Sequence, residues 1–107
     1  MGIYTTKPIK EISAKEFQYL IKGKKVVVSP HALWHLSNRQ RKVFNIEELT
    51  SMVEKESPRK VYLQENKRYA AYYRKSDGYR KLIIEIRSDK IIVVTFIDMS
   101  EIPKYKL

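Results

Sequence analysis

Residues 59–98 read RKVYLQENKRYAAYYRKSDGYRKLIIEIRSDKIIVVTFID and decide the fold of this chain. Apolar and polar side chains alternate through most of the stretch, which is typical of half-buried β-strands. The last apolar run, Ile91 to Ile97, is expected to form a central strand because both of its faces are apolar. The sequence Ser76-Asp77-Gly78 predicts a hairpin turn, and Ser88-Asp89 predicts another. The pattern therefore predicts an antiparallel sheet of about four strands, over residues 59–65, 68–75, 79–87 and 90–98.

The part of the chain before this sheet has mainly helical patterns. Ser13 and Glu16 have the spacing of a capping box, in which each side chain can satisfy a backbone N–H of the first helical turn. Pro30 directly follows Ser29, which is typical of an N-cap and a first helical residue. The predicted elements are a helix over residues 13–22, a β-branched strand over 24–28, a helix over 30–42 and a helix over 45–57.

Length and composition restrict the chain to one small domain. It has 107 residues, of which 43% are hydrophobic and 11% aromatic, enough for one modest core. The absence of cysteine excludes disulfide scaffolds, thiol catalysis and Cys-based zinc sites. No segment resembles a signal peptide or a membrane span, so we expect a cytoplasmic protein. We expect one α+β domain with N-terminal helices packed on one sheet face, divided into an arm (1–12), a mainly helical part (13–57), the sheet (58–98) and a polar tail (99–107).

The charge balance predicts a polyanionic partner. Lys and Arg number 22 against 12 Asp and Glu, which gives a formal net charge of +10. The stretch from Arg59 to Lys81 contributes most of this excess and holds five of the eight tyrosines. Cations interleaved with aromatic rings on a sheet suit single-stranded nucleic acid, although tyrosine propensity for strands and cations at strand edges explain the same pattern. The eight cations of this stretch are Arg59, Lys60, Lys67, Arg68, Arg74, Lys75, Arg80 and Lys81.

The predicted helix over residues 30–42 carries both histidines of the chain on one polar stripe. At about 100° per residue, the stripe contains His31, His35, Asn38, Arg39 and Lys42. Three interpretations compete. A solvated helix face is the simplest. A metal site is disfavoured because the surrounding cations repel a metal and no acidic third ligand is nearby. The third is a stripe for proton transfer and phosphate binding, since histidine exchanges protons near neutral pH.

These residues resemble a known nuclease superfamily. The chain resembles the superfamily of RelE, EndoU, barnase and colicin-type nucleases. The resemblance rests on the pattern Ser29-x-His31-Ala32-Leu33, followed by Arg39, a proline at residue 58 and a last strand that contains Thr95. That group includes phage-encoded and toxin–antitoxin members. The resemblance covers residues 26–97 and implies N-terminal helices on a four-stranded antiparallel sheet. It also implies metal-independent RNA cleavage in which the ribose 2′-hydroxyl is the nucleophile. His31, Arg39 and Thr95 match positions of the superfamily pattern, whereas some relatives have arginine where this chain has His35.

The leading hypothesis is a small, basic endoribonuclease that is toxin-like or virus-associated and needs no cofactor or metal. The hypothesis assigns His31 and His35 to proton transfer, Arg39, Arg74 and Arg80 to the scissile phosphate, Thr95 to positioning it, Tyr73 to base stacking, and Lys42 and Tyr69 to further nucleic-acid contacts. One alternative is a non-catalytic nucleic-acid-binding protein that uses the basic, Tyr-rich sheet face. A second is an interaction protein (an antitoxin, inhibitor or viral effector) that docks on an acidic partner. No membrane partner is expected, because the basic segment alternates like a strand.

Overall fold

The described residues form a six-stranded mixed sheet with two α-helices on one face. The computed structural model describes residues 7–33 and 46–107. The strand order across the sheet is β1-β3-β4-β5-β6-β2. The elements are β1 (Pro8–Ile12), α1 (Ala14–Ile21), β2 (Lys25–Val28), a 3₁₀ helix (Pro30–Leu33), α2 (Ile46–Lys55), β3 (Lys60–Gln64), β4 (Tyr69–Lys75), β5 (Gly78–Ile86) and β6 (Lys90–Met99).

Strands β3 to β6 form the antiparallel meander that the alternating pattern predicts. The turn between β4 and β5 requires Gly78, whose φ of +151° is rarely adopted by other residues and whose position leaves no room for a Cβ beside the carbonyl oxygen of Met99. β6 lies inside the sheet, between β5 and β2, as its apolar composition predicts.

Two further strands extend this meander at its edges. β1 pairs with β3 in antiparallel orientation, and β2 pairs with β6 in parallel orientation, with Val28 opposite Val93. The expected α+β class is confirmed, but the sheet has six strands of mixed orientation instead of about four antiparallel ones. The predicted arm over residues 1–12 is wrong for residues 8–12, which form β1.

The helix face of the sheet, defined by Val61, Tyr73, Leu82, Ile84 and Val93, is the face covered by α1 and α2. Both helices are amphipathic, and each turns its apolar side to these residues. Ser13 caps α1 as predicted, since its hydroxyl oxygen accepts a hydrogen bond of 3.0 Å from the Glu16 N–H. The helix residues buried here are Phe17, Leu49, Met52 and Val53.

The opposite face is called the cavity face and carries the alternate side chains Ala70, Tyr72, Lys81, Ile83 and Thr95. The segment after β6 packs on one end of this face. Its Tyr105 ring lies 5.1 Å from the ring of Tyr62, and its Ile102 contacts the small cluster of Tyr62, Ala70 and Tyr72. The predicted polar tail over residues 99–107 therefore contributes apolar contacts to the fold.

The predicted helix over residues 30–42 is described only at its start. That start is the 3₁₀ helix Pro30–Leu33, and the remainder lies outside the described residues. In the described ranges, no helix has the length and apolar character that crossing a membrane requires.

Candidate functional site

A cavity of about 480 Å³ lies on the cavity face of the sheet. Its volume falls in the usual range for small-molecule sites. The cavity is lined by Ser29, His31, Gln64, Asn66, Arg68, Lys81, Ile83, Val94, Thr95 and Ile97.

A β-bulge brings two consecutive residues of β6 to this cavity. Ile83 pairs with Thr95 and Ile84 pairs with Val93, so Val94 is the extra residue between the two pairs. An extra residue breaks the strict alternation of faces. Val94 and Thr95 therefore both line the cavity, the first with methyl groups and the second with a hydroxyl.

The parallel pairing of β2 places Ser29 and His31 beside this bulge. The Ser29 N–H donates a hydrogen bond of 2.9 Å to the carbonyl oxygen of Val93, which ties the end of β2 to β6. The His31 N–H then donates to the Ser29 hydroxyl at 3.2 Å, which fixes the start of the 3₁₀ helix. As a result, an imidazole and the Thr95 hydroxyl line the same cavity although 64 residues separate them in the chain.

Arg68 contributes a guanidinium that is shared with a neighbouring carboxylate. Its Nε and Nη2 atoms each lie 3.3 Å from Oε1 of Glu85, while Arg87 donates to the other oxygen of Glu85 at 2.6 Å. The hydrogen bond from Arg87 foremost, and then that from Arg68, lowers the pKa of Glu85 below its usual value. This cluster of two arginines and one carboxylate keeps a positive charge at the cavity.

Lys81 contributes a second cation to the cavity. Its Nζ atom lies 5.8 Å from the centre of the Tyr72 ring, and it has no ion pair or hydrogen bond within residues 7–33 and 46–107. Burial lowers the pKa of Lys81 below its usual value, because the charged ammonium loses hydration. A partly desolvated, unpaired ammonium in a cavity attracts an anionic ligand.

Gln64 and Asn66 complete the polar lining at the turn between β3 and β4. The Asn66 side-chain oxygen accepts a hydrogen bond of 3.0 Å from the Arg68 N–H, and Lys67 takes a positive φ of 68° in the turn. These local bonds hold the turn so that Gln64, which is only 6% exposed, reaches the cavity with its side chain.

The structure brings two of the four predicted catalytic residues together. His31 and Thr95 both line the cavity. His35, Arg39 and Lys42 lie outside the described residues, so the roles given to them stay predictions.

Two of the predicted nucleic-acid-binding tyrosines lie on the wrong side of the sheet for this cavity. Tyr73 is fully buried under the helices, and a buried ring cannot stack on a base. Tyr69 packs on the same core, with its ring centre 5.9 Å from that of Phe17. The strand alternation therefore places both tyrosines on the helix face, opposite the cavity.

The predicted phosphate-binding role of Arg80 is also corrected. Its side chain is 7% exposed on the helix face and donates to Asp98 at 2.7 Å and to Glu48 at 3.0 Å. Two carboxylates already use this guanidinium, which joins α2 to β5 and β6. Arg74, in contrast, is exposed, and its guanidinium lies 5.2 Å from the centre of the Tyr79 ring.

The strand register divides the eight cations of residues 59–81 into two groups. Lys60, Arg68, Lys75 and Arg80 have carboxylate partners. The other four, Arg59, Lys67, Arg74 and Lys81, have no acidic partner in the part of the chain that the structure describes.

The sequence placed Arg68 and Lys81 in the basic stretch, but neither was predicted as a site residue, and Gln64 was not predicted at all. Alternation along the strands is the signal that could have found them, because Gln64, Arg68 and Lys81 each lie two residues from Tyr62, Ala70 and Ile83 respectively, which share the cavity face.

Comparison of the chain with protein-family models, with curated proteins and with solved structures gives no match. The described residues contain no group of three or more His, Asp or Glu side chains that could hold a metal ion. The site is therefore interpreted from its own chemistry: an imidazole, two hydroxyls, two amides and two cations around an apolar floor.

Proposed function

We propose that this chain is a small, metal-independent ribonuclease and that the cavity is its active site. One observation carries the proposal: an imidazole, a hydroxyl and two cations line a single cavity, through His31, Thr95, Arg68 and Lys81. These are the groups that transesterification of RNA needs, namely a proton acceptor and positive charge near the phosphate. The net charge of +10 favours the polyanionic substrate.

The proposed reaction begins with the ribose 2′-hydroxyl. An imidazole nitrogen of His31 accepts its proton, and the 2′-oxygen forms a bond to phosphorus. Arg68 and Lys81 compensate the charge of the phosphorane, and the Thr95 hydroxyl donates to a non-bridging oxygen. The bond between phosphorus and the 5′-oxygen then breaks, and the 5′-oxygen takes a proton from the Lys81 ammonium. A lysine with a lowered pKa is a stronger acid than a hydrated one, which suits it to this step. The products are a 2′,3′-cyclic phosphate and a 5′-hydroxyl.

End-group analysis of cleaved RNA tests this proposal. Labelled RNA is incubated in excess EDTA with the wild-type protein and with the His31→Ala variant, purified in parallel. We expect cyclic phosphate ends from the wild type and a rate at least about 100-fold lower for the variant, because positioned proton transfer contributes roughly that factor or more. Matching unfolding curves control for folding. Equal cleavage by both proteins, or no cleavage by either across varied RNA sequences, contradicts the proposal.

Non-catalytic RNA binding is the second candidate, and one observation favours it. Arg74 is exposed beside Tyr79 at the end of the cavity face, where it adds a cation and a ring outside the cavity. A binding protein retards intact RNA and keeps its affinity when His31 is replaced. In that case Arg74→Ala lowers the affinity, and no cyclic phosphate ends form.

A further inference from the structure

Gln64 is a buried polar side chain that faces the cavity. It is 6% exposed and lines the cavity. Its backbone is satisfied, since its N–H donates to the Arg68 carbonyl at 2.8 Å and its own carbonyl accepts from the Lys67 N–H at 2.9 Å. Its side-chain amide makes no hydrogen bond within the described residues. The polar atoms of this amide open to the cavity, where water or a ligand can form hydrogen bonds with them.

The groups around Gln64 determine what that ligand must offer. Arg68 and Lys81 carry only donors. Asn66 uses its side-chain oxygen to accept from the Arg68 N–H, which leaves its NH₂ group as a donor. The Gln64 side-chain oxygen is therefore the amide acceptor at this end of the cavity. A complementary ligand has several acceptors and one donor group placed next to an acceptor.

We propose that Gln64 is a base-specificity residue that binds adenine. Adenine has acceptor ring nitrogens and a single donor group, the N6 amine, which lies beside both N1 and N7. A glutamine amide can bind this edge by two parallel hydrogen bonds, accepting from N6 and donating to the neighbouring ring nitrogen. Guanine matches less well because N1–H and the N2 amine are two separate donor positions. Cytosine and uracil also place a donor beside an acceptor, but their single ring covers less of the apolar lining than the two rings of adenine do. Ile83, Val94 and Ile97 provide apolar contacts for the faces of the ring.

The inference rests on the proposed use of the cavity for RNA. It predicts that the binding affinity depends on one chemical group of the ligand, the N6 amine of adenine. Once the ring displaces water from the cavity, a base without the amine leaves the Gln64 oxygen unpaired. A site built around a hydrogen bond rejects such analogues strongly. A bidentate amide–adenine contact corresponds to about fivefold to 100-fold discrimination between bases.

A double-mutant cycle between protein and ligand tests the inference. Fluorescence anisotropy measures the binding of 2′-O-methyl oligonucleotides, which cannot undergo 2′-hydroxyl attack, with adenine, cytosine, uracil, guanine or unsubstituted purine bases. We expect the wild type to prefer the adenine oligonucleotide by about fivefold or more over all the others. In Gln64→Leu, adenine should bind no better than purine, while uracil affinity should stay within about twofold. Gln64→Glu keeps the acceptor and loses the donor, and should also lose most of the preference.

The outcomes separate the inference from the proposed function. Binding by the wild type without a base preference, or an adenine preference that survives Gln64→Leu, overturns the role of Gln64 and leaves the RNA site intact. A preference for cytosine or uracil that depends on Gln64 overturns the adenine assignment. If no oligonucleotide binds and no RNA is cleaved, the proposed function itself fails. Thermal unfolding of both variants controls for collapse of the cavity. If Gln64→Leu does not fold, the Gln64→Glu variant and the comparison of the adenine and purine oligonucleotides test the inference instead.

Discussion

We expect replacement of Lys81 by methionine to separate stability from the proposed RNA binding, because the same ammonium should affect the two in opposite directions. Its pKa is lowered by burial, so the protonated form of Lys81 opposes folding. This destabilisation is fully present below the folded pKa and disappears as the pH rises past the unfolded value of about 10.4. Methionine keeps the apolar stem without the charge. We therefore expect Lys81→Met to be more stable than the wild type at pH 7, with a difference that vanishes in alkaline solution.

The effect on binding can be worked out from the number of cations at the cavity. Each phosphate neutralised on a single strand contributes about 0.7 to the slope of log affinity against log salt concentration. Arg68 and Lys81 together then give a slope of about 1.4, or a roughly sevenfold loss of affinity between about 50 and 200 mM salt. Lys81→Met should reduce the slope by about 0.7 and lower the affinity most at low salt.

Binding of a 2′-O-methyl oligonucleotide at several salt concentrations measures this slope. Lys15→Met is the matched control, since Lys15 is an exposed lysine on α1, which packs on the helix face. The reasoning is refuted if the two variants change the slope equally, because the net charge of the chain and not the cavity would then determine binding. Urea unfolding at pH 7 and at about pH 11.5, which is roughly one unit above the unfolded pKa of lysine, measures the stability change.

Three other predictions follow from particular contacts. The pKa of Asp98 is lowered, foremost by its hydrogen bond from Arg80 and also by that from Lys75. The ionised carboxylate therefore contributes stability above the unfolded pKa of about 3.9, and this stability is lost as the pH falls through the folded pKa. Asp98→Asn should therefore destabilise the fold by about 1 kcal/mol at pH 7 and leave it unchanged in strong acid, as urea unfolding at both pH values would measure. Thr95→Val removes a cavity hydroxyl at nearly constant volume, and we expect cleavage about tenfold slower with an unchanged melting temperature; an unchanged rate would remove Thr95 from the site. Tyr73→Phe should leave RNA affinity unchanged in anisotropy titrations, because Tyr73 is buried on the helix face, and a large loss would contradict that placement.

Local patterns in the sequence were enough to predict the meander but not its edges. Alternation along β4 and β5 is a property of neighbouring residues, and it gave the strands and their faces. β1 has only Ile12 buried, so its sequence has no alternating apolar pattern, and its strand structure depends on pairing with β3. The parallel pairing of β2 with β6 joins segments that are far apart in the chain, which no local pattern specifies.

Part of the lining of the candidate site was predictable from residue types, whereas the residues whose position depends on strand pairing were not. His31 and Thr95 were identified through their resemblance to a nuclease pattern. Arg80 and Lys81 are adjacent cations with the same sequence signal, yet Arg80 meets Asp98 and Glu48 on the helix face while Lys81 faces the cavity, where the described residues give it no carboxylate. Only the register and the position of α2 distinguish them. The β-bulge at Val94, which turns two consecutive side chains to the cavity, likewise has no signal in the sequence.

Methyl NMR tests the central claim, that RNA binds in the cavity, most directly. A 2′-O-methyl oligonucleotide is titrated into protein with labelled isoleucine methyl groups. Neighbouring strands supply the internal control, because Ile83 and Ile97 line the cavity whereas Ile84 and Ile91 are buried on the helix face. We expect the signals of Ile83 and Ile97 to shift in proportion to occupancy, with those of Ile84 and Ile91 nearly unchanged. Shifts confined to Ile84 and Ile91, or binding without any shift of Ile83 and Ile97, would place the RNA elsewhere and contradict the account.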